Sequence, residues 1–278
     1  MNLEFPVEKI VKLRYSVRTY DTKPLEVDIM NKINAYMEAL SNPFSIPVSF
    51  RLIETQGQMD GEKLGTYGVI KGANYYIGAT VEKGELALEA LGYSFEKLIL
   101  YITFLGLGTC WLGGTFQRGK FASAMDVKEN ELFPAISPLG YPLGKKRLSE
   151  SVARKLVKAD KRLDWNKLFF RNDFSHPCTE VEAGEFAYPL KMLQLAPSAA
   201  NKQPWRIVLD NGQYHFYKVK GNSDRLALDI QKVDIGIAAC HFHLAALEKG
   251  LSGEFKKLAI PKIEMPEHVE YIFSFVNN

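Results

Sequence analysis

Hydrophobic residues recur along this chain at helical spacing in some segments and as short runs in others. Apolar side chains every three or four positions over residues 27–40 predict an amphipathic helix with one buried face. Longer apolar stretches over residues 91–106 and 235–250 predict two buried helices, each ended by glycine. Short apolar runs predict strands at residues 50–53, 135–139, 205–208 and 271–275. This mixture of helices and strands is typical of an α+β fold.

The two long helices are related by a repeat. Gly92 and Gly236 lie near their starts, Gly106 and Gly250 lie at their ends, and the members of each pair are 144 positions apart. Two amphipathic helices can resemble each other by chance. Because strands before and after them recur in the same order, we interpret the repeat as a tandem duplication.

The repeat also predicts how the chain is divided. The strands before the long helices are 155 positions apart, so the first half has eleven extra residues, which we place at residues 65–79. The half-units are predicted at residues 1–150 and 151–278. A charged run over residues 145–167 lies at the join and could form a solvated linking helix.

Composition narrows the possible classes of protein. The 278 residues are 46% hydrophobic and 24% charged, with a formal net charge of +3, as in ordinary globular proteins. Basic residues form no stripe with aromatic residues, so we expect no nucleic-acid partner. The three cysteines and five histidines fit no disulfide framework, catalytic triad or metal-ligand spacing, so no metal site is predicted.

An uncharged stretch at residues 98–116 has the length of a membrane helix. Four glycines in its second half favour instead a buried helix that ends in a turn. The N-terminal residues do not show the apolar core of a secretory signal. We therefore expect a cytoplasmic protein with no membrane partner.

The first candidate for chemistry is the arginine segment, residues 14–18, which follows a short amphipathic helix. Arg14 and Arg18 bracket Ser16. A guanidinium group donates paired hydrogen bonds to phosphate or to an anionic ring edge, and serine adds a neutral donor. A solvated basic turn would have the same residues, so the segment alone leaves both interpretations open.

The second candidate is the proline loop, residues 196–205, which contains Pro197, Ser198, Asn201 and Gln203. Its two prolines make it stiff, and its small residues allow a flat ligand to approach the backbone. The hydroxyl and amide groups can bind the ligand's polar edge. The same serine and asparagine could instead cap a helix.

The third candidate is the glycine turn, residues 106–116, which includes Trp111, Leu112, Gly113 and Gly114. Glycines leave backbone N–H groups uncovered, which a hydrogen bond to an acceptor atom on an aromatic cofactor requires. Trp111 could cover such a ligand or simply pack in the core. Cys110 is expected to be a small buried residue and not a nucleophile.

The fourth candidate is the basic strand end, residues 140–147, which runs into Lys145, Lys146 and Arg147. Alone it is a charged loop. Together with the arginines of the arginine segment it would complete a pocket for a phosphate group.

The four segments together resemble the FMN-dependent nitroreductase family, which has R-x-S-x-R, A-P-S-x-x-N-x-Q-P-W, G-L-G and G-x-P motifs. The resemblance covers most of the chain and implies a nitroreductase-like α+β fold. Ordinary family members carry every motif in one unit and pair as dimers that share FMN sites. Here the proline loop is intact only in the second half and the other motifs only in the first. The chain thus resembles the tandem branch: a monomeric, intramolecular pseudo-dimer with one site retained.

The resemblance implies roles for individual residues. Arg14 and Ser16 would hold the FMN phosphate with Arg147 and with either Lys145 or Lys146. Arg18 would stabilise the anionic reduced flavin, and the N–H of Gly113 or Gly114 would reach flavin N5, so Arg18 and Gly113 are the candidate catalytic residues. Further contacts would come from Trp111, Leu112, Pro197, Ser198, Asn201 and Gln203, with Lys71 or Asn74 as a weaker addition.

The implied function is that of an FMN-dependent NAD(P)H oxidoreductase. NAD(P)H would reduce FMN, and a nitro compound, a quinone or a similar small acceptor would then be reduced at the same face in a ping-pong reaction. No G-x-G-x-x-G follows a strand, so no separate dinucleotide domain is expected. Two alternatives remain open. One is another flavin reaction, such as dehalogenation, ene reduction or flavin breakdown, and the other is a protein that binds flavin without catalysis.

Overall fold

The chain forms two sheets that are joined by paired helices. The computed structural model describes residues 3–55, 65–144, 161–221 and 228–277. The helices are α1 (Val7–Leu13), α2 (Val27–Ala39), α3 (Ala87–Phe104), α4 (Arg118–Ala124), α5 (Glu180–Ala183), α6 (Ala187–Gln194) and α7 (Ile230–Glu248). The strands are β1 (Val48–Glu54), β2 (Tyr75–Glu82), β3 (Gly108–Thr109), β4 (Glu131–Leu132), β5 (Ile136–Gly140), β6 (Phe169–Arg171), β7 (Trp205–Asp210), β8 (Gln213–Val219), β9 (Gly253–Lys256) and β10 (Val269–Asn277).

The first sheet is built from strands β1 to β5, and the second from strands β6 to β10. The first sheet has the order β1-β2-β5-β3, with β4 also paired to β2, and the second has the order β6-β7-β8-β10-β9. In both sheets an antiparallel pair precedes a long helix: β1 and β2 precede α3, and β7 and β8 precede α7. The described part of the chain is thus an α+β fold, as the sequence predicts.

Helices α3 and α7 pack closely against each other because each has a glycine where they meet. A Cβ atom at Gly92 would collide with the carbonyl oxygen of Val233, and one at Gly236 would collide with that of Glu89. Only a glycine permits this approach of one helix backbone to the other. The contact is reciprocal, since Glu89 and Val233 are also 144 positions apart.

The two long helices end in the same way. Gly106 and Gly250 have φ values of 84° and 73°, in the left-handed region that favours glycine. In each case the residue after the glycine donates its N–H to the carbonyl five positions earlier, at 3.2 Å after α3 and 3.0 Å after α7. This is the Schellman arrangement, and it confirms the predicted helix ends.

The uncharged stretch at residues 98–116 is not a single helix. Helix α3 ends at Phe104, and the stretch continues through Gly106 into β3 and the glycine turn, as predicted. Among the described residues, no helix combines the length and the apolar character that a membrane span requires.

The four predicted strands are confirmed, whereas six further strands of the described residues were not predicted: β2, β3, β4, β6, β8 and β9. Strands β2 and β8 are buried along most of their length, so they lack the alternation of polar and apolar residues that marks a half-exposed strand. The extra residues of the first half lie mainly in the connection between β1 and β2, residues 55–74, whereas β7 and β8 are joined by two residues. The predicted insertion at residues 65–79 was therefore wrong over 75–79, which belong to β2.

The linking helix stays a prediction, because residues 145–160 lie outside the described residues. The described end of the charged run contains a single 3-10 turn, Trp165–Lys167. The division into half-units at residue 150 falls in the same undescribed region.

Candidate functional site

The arginine segment lies directly beside the glycine turn. Ser16 forms a parallel bridge with Thr109, and the N–H of Val17 donates to the Thr109 carbonyl at 2.8 Å. Gly108 makes this approach possible, since a Cβ atom there would lie 2.6 Å from a methyl carbon of Val17. Two motifs that are about 90 positions apart are thereby brought together.

Arg18 has a second cationic residue next to it. The N–H of Lys71 donates to the Arg18 carbonyl at 3.0 Å, and the Lys71 carbonyl accepts from Tyr20 at 2.9 Å. The backbone therefore places the side chains of Arg18 and Lys71 on adjacent extended segments. The amide of Asn74 instead donates to the carbonyl of Thr22 at 2.9 Å and fixes the local backbone.

The glycine turn lies between β5 and the start of α7. Leu112 is buried and exchanges two backbone hydrogen bonds with Ile136, at 2.9 and 3.0 Å. A Cβ atom at Gly113 would lie 3.1 Å from the side chain of Ile230, the first residue of α7, whereas one at Gly114 would meet nothing within 4 Å. The turn is thus closely packed at Gly113 and open at Gly114.

The proline loop contacts the next turn of the same helix. The N–H of Ala199 donates to Oδ1 of Asp234 at 3.0 Å, and Asp234 follows Ile230 by four positions on α7. Within the loop, the hydroxyl of Ser198 accepts from the N–H of Gln203 at 2.9 Å. Helix α7 therefore brings together the glycine turn from the first half and the proline loop from the second.

The proline loop has a strained backbone. Ala200, Asn201 and Gln203 have φ values of 50°, 54° and 50°, in the left-handed region that costs a residue with a side chain about 1 kcal/mol. Such strain persists where the surrounding structure holds it in place, and it occurs often at binding sites.

The amide side chains of the loop bind a neighbouring segment. Asn201 donates to the carbonyl of Lys161 at 2.9 Å, and Gln203 accepts from the N–H of Leu163 at 2.8 Å. The guanidinium of Arg162 donates to the Asn201 amide oxygen at 3.3 Å. Asn201 and Gln203 therefore hold residues 161–163 against the loop, and their direct contact to a ligand remains a prediction.

A buried carboxylate joins the arginine segment to the glycine turn. Glu96 of α3 is fully buried and accepts a 2.6 Å hydrogen bond from the indole N–H of Trp111. Its other oxygen lies 3.7 Å from Nε of Arg14 and 2.9 Å from Nε2 of His241 on α7. The Trp111 ring also packs against Phe95, with ring centres 4.7 Å apart. Packing is thus one observed role of Trp111, and contact with a ligand remains a prediction.

Asp234 is a second buried acid that the sequence motifs did not reveal. Burial raises its pKa to about 8, although the N–H of Ala199 opposes this shift. Its Oδ2 atom has no hydrogen-bond partner among the described residues. The sequence motifs did not predict Glu96, His241 or Asp234 as site residues, because each lies within a mostly apolar helix. The signal that could have identified them is the presence of a charged or titratable residue in such a helix.

The remaining predicted residues are placed as follows. Lys145, Lys146 and Arg147 lie outside the described residues, so their phosphate contact stays a prediction. Pro197 is half-buried at the start of the proline loop, and Cys110 is buried. The described residues contain no group of three or more histidine, cysteine, aspartate or glutamate side chains that could hold a metal ion.

The family to which this chain belongs is shown by comparison with known proteins. A family model described as "Putative TM nitroreductase" matches residues 7–246. Because this match spans most of the chain, the chain belongs to that nitroreductase family.

A solved structure with the same fold matches nearly the whole chain. A "putative nitroreductase" from Thermotoga maritima MSB8 is 20% identical over 99% of this chain and 95% of that one, with a TM-score of 0.61. An FMN-dependent nitroreductase from Clostridium difficile R20291 is 18% identical over 50% of this chain and 88% of its own, with a TM-score of 0.40.

A nitroreductase from Desulfovibrio desulfuricans, solved in complex with FMN, is 22% identical over 54% of this chain and 96% of its own, also with a TM-score of 0.40. Shape similarity over the whole chain rests on the Thermotoga protein. No curated protein matched this chain.

Proposed function

We propose that this protein binds FMN and uses it to carry hydride from NAD(P)H to a small nitro, quinone or similar acceptor. The observation that supports this function best is that the glycine turn and the proline loop meet on α7 while the arginine segment pairs with the glycine turn. Gly113 packs on Ile230, Ala199 binds Asp234 one turn later, and the arginine segment joins the glycine turn at Thr109.

The chemistry of these residues fits FMN. Arg14 and Arg18 supply guanidinium donors and Ser16 a hydroxyl, which suit a phosphate and the polar edge of a ring. The space beside Gly114 is open, so a flat ring system can approach the backbone there. Lys145 and Arg147 would complete the phosphate pocket.

FMN, when bound, would supply the ring atom that accepts hydride. Arg18, whose backbone is fixed by Lys71, would place a positive charge where negative charge develops on the ring. The N–H of Gly113 or Gly114 would donate to the ring nitrogen. Pro197 and Ser198 would close the site from the second half of the chain.

The nicotinamide and the acceptor would bind in turn at the same open face, which predicts ping-pong kinetics. No protein side chain needs to act as a nucleophile in this scheme. The role of the protein is to bind, orient and stabilise charge.

By the same proposal, the chain is an intramolecular pseudo-dimer with one working site. The reciprocal contacts of Gly92 and Gly236 support internal duplication. Lys257 stands 144 positions after Gly113, and Ala90 stands 144 positions before Asp234, so a second site would lack both the glycine and the acid.

The test begins with the absorption spectrum of the purified protein, before and after reconstitution with FMN. Anaerobic addition of NADH or NADPH should bleach the flavin, and a nitro compound or quinone should restore the colour. A yellow protein that neither nucleotide reduces would contradict the oxidoreductase and favour flavin binding without this chemistry. A colourless protein that cannot be reconstituted would overturn the proposal.

A further inference from the structure

One buried carboxylate, that of Glu96 on α3, contacts the glycine turn, the arginine segment and helix α7. Glu96 lies on α3, and its side chain is completely excluded from solvent. It meets Trp111 of the glycine turn, Arg14 of the arginine segment and His241 of α7. A buried carboxylate is costly unless it is hydrogen-bonded and paired with positive charge, and these three partners supply both.

Hydrogen bonding determines where the protons lie. Nδ1 of His241 is 3.1 Å from the carbonyl oxygen of Met192, which can only accept, so Nδ1 carries a hydrogen. Nε2 is 2.9 Å from the Glu96 carboxylate, and two bare acceptors would repel each other at this distance. One further proton must therefore lie between His241 and Glu96.

The neighbouring groups decide which residue holds that proton. The guanidinium of Arg14 and the indole N–H of Trp111 both stabilise an ionised Glu96. Burial raises the pKa of the Cys240 thiol on α7, which also interacts with Glu96 and with Lys97. An imidazolium–carboxylate pair with Arg14 beside it satisfies all of these contacts.

We propose that Glu96 and His241 are positioning residues that hold Arg14 and Trp111 in place for the bound cofactor. The contact to Glu96 uses Nε, at the base of the Arg14 fork, which leaves the two terminal nitrogens to serve a phosphate. His241 contacts the same carboxylate from α7. Helix α7, which also carries Ile230 and Asp234, therefore helps to position Arg14, which lies in the first half of the chain. The ligand in this inference rests on the function proposed above.

The experiment compares Glu96→Gln and His241→Gln with His243→Gln. His243 is a matched control because it is a buried histidine on the same helix that bonds Tyr93 at 2.7 Å, outside the Glu96 contacts. Two readouts on the cofactor-free protein are the NMR resonance of the Trp111 indole N–H and the ¹⁵N shifts of the His241 ring. FMN affinity is the third readout.

We expect both ring nitrogens of His241 to carry a hydrogen in the wild-type protein, because each faces an acceptor. Both network variants should shift the Trp111 resonance and weaken FMN binding about tenfold, the loss expected for one charge-assisted hydrogen bond. His243→Gln should leave the Trp111 resonance unchanged and bind FMN within about twofold of wild type.

Two results would overturn the inference. One is a neutral His241 ring in the wild-type protein, which can be measured even if the variants do not fold. The other is a folded Glu96→Gln protein with wild-type FMN affinity and an unshifted Trp111 resonance. Failure of the wild-type protein to bind FMN would instead overturn the proposed function, and the two NMR measurements would still decide whether the pair exists.

Discussion

The two arginines of the arginine segment occupy different surroundings. Arg14 has its side chain buried beside Glu96, whereas Arg18 is half-buried and has its backbone paired with Lys71. Because Arg14 is held beside a buried carboxylate, it suits a fixed contact such as one to a phosphate group. Because Arg18 lies on an extended segment, it can reach the edge of the ring, where negative charge develops.

Arg18→Ala should therefore slow flavin reduction by NAD(P)H about a hundredfold, since a fixed charge opposite the developing anion is lost. FMN affinity should change little. Arg14→Ala should have the opposite effects. It should weaken FMN binding, and once the protein is saturated with FMN its flavin should be reduced at a nearly normal rate. Stopped-flow reduction and fluorescence titration measure the two effects, and equally small effects from both variants would remove these arginines from the site.

Asp234 predicts how stability depends on pH. Its pKa is raised to about 8 in the folded protein, from an ordinary value of 3.8, because burial disfavours the charged form. Between these two values the folded state holds a proton that the unfolded state has released, so stability falls as pH rises through this range.

Asp234→Asn removes this ionisation and retains an acceptor for the N–H of Ala199. Relative to wild type, the variant should gain a few kcal/mol in free energy of unfolding at pH 8 and almost nothing near pH 4. Urea unfolding at the two pH values measures the difference. Glu89, whose pKa is raised by burial to about 7, titrates in both proteins and so cancels in the comparison. The same gain at both pH values would contradict the assignment.

At the level of elements, the contact between α3 and α7 depends on two glycines. Their predicted Cβ collisions involve backbone carbonyls, which cannot move aside as a flexible side chain can. Gly92→Ala and Gly236→Ala should each destabilise the fold by about 3 kcal/mol, at the upper end of overpacking effects.

Gly119 in α4 provides the control for these variants. A Cβ atom there would meet nothing within 4 Å, so Gly119→Ala should cause no loss of stability and a gain of up to about 1 kcal/mol. Thermal or urea unfolding gives all three values. A Gly92→Ala protein as stable as Gly119→Ala would show that the helices can separate at no cost.

The long helices and their ends were predictable because the signals are local. A glycine such as Gly106 ends a helix through its own φ value and hydrogen bonds within six residues. Strands β2 and β8 were not, because burial on both faces removes the alternation that identifies a strand. Burial of a strand depends on the segments that pack against it in the folded chain, so it cannot be predicted from the residues of the strand alone.

For the whole molecule, the proposed duplication predicts one FMN per chain and a monomer in solution. The groove at the position related to the candidate site is lined by Leu86 and Lys257, which stand 144 positions from Ile230 and Gly113. At the position of the glycine this groove has a long charged side chain, whose Nζ donates to the carbonyl of Ile272 at 2.6 Å.

Flavin content per chain, measured by absorbance after denaturation, should therefore approach one and not two. Light scattering should give the mass of a single chain, 31.4 kDa. Two flavins per chain, or a dimer that alone binds flavin, would contradict this organisation.

The sequence by itself determined the local features: helix and strand periods, the glycine helix ends, the spacing of the repeat and the four motifs with their family resemblance. The periods, the helix ends and each motif depend on residues close together in the chain, whose chemistry is the same wherever the segment lies. The repeat is a property of the sequence itself. Only the tertiary structure decided that Gly113 and Ala199 meet successive turns of α7, and that Glu96 joins Arg14, Trp111 and His241. Glu96 and His241 are 145 positions apart, and their contact is set by how the two long helices pack, because a buried polar group is costly unless the packing brings a partner to it.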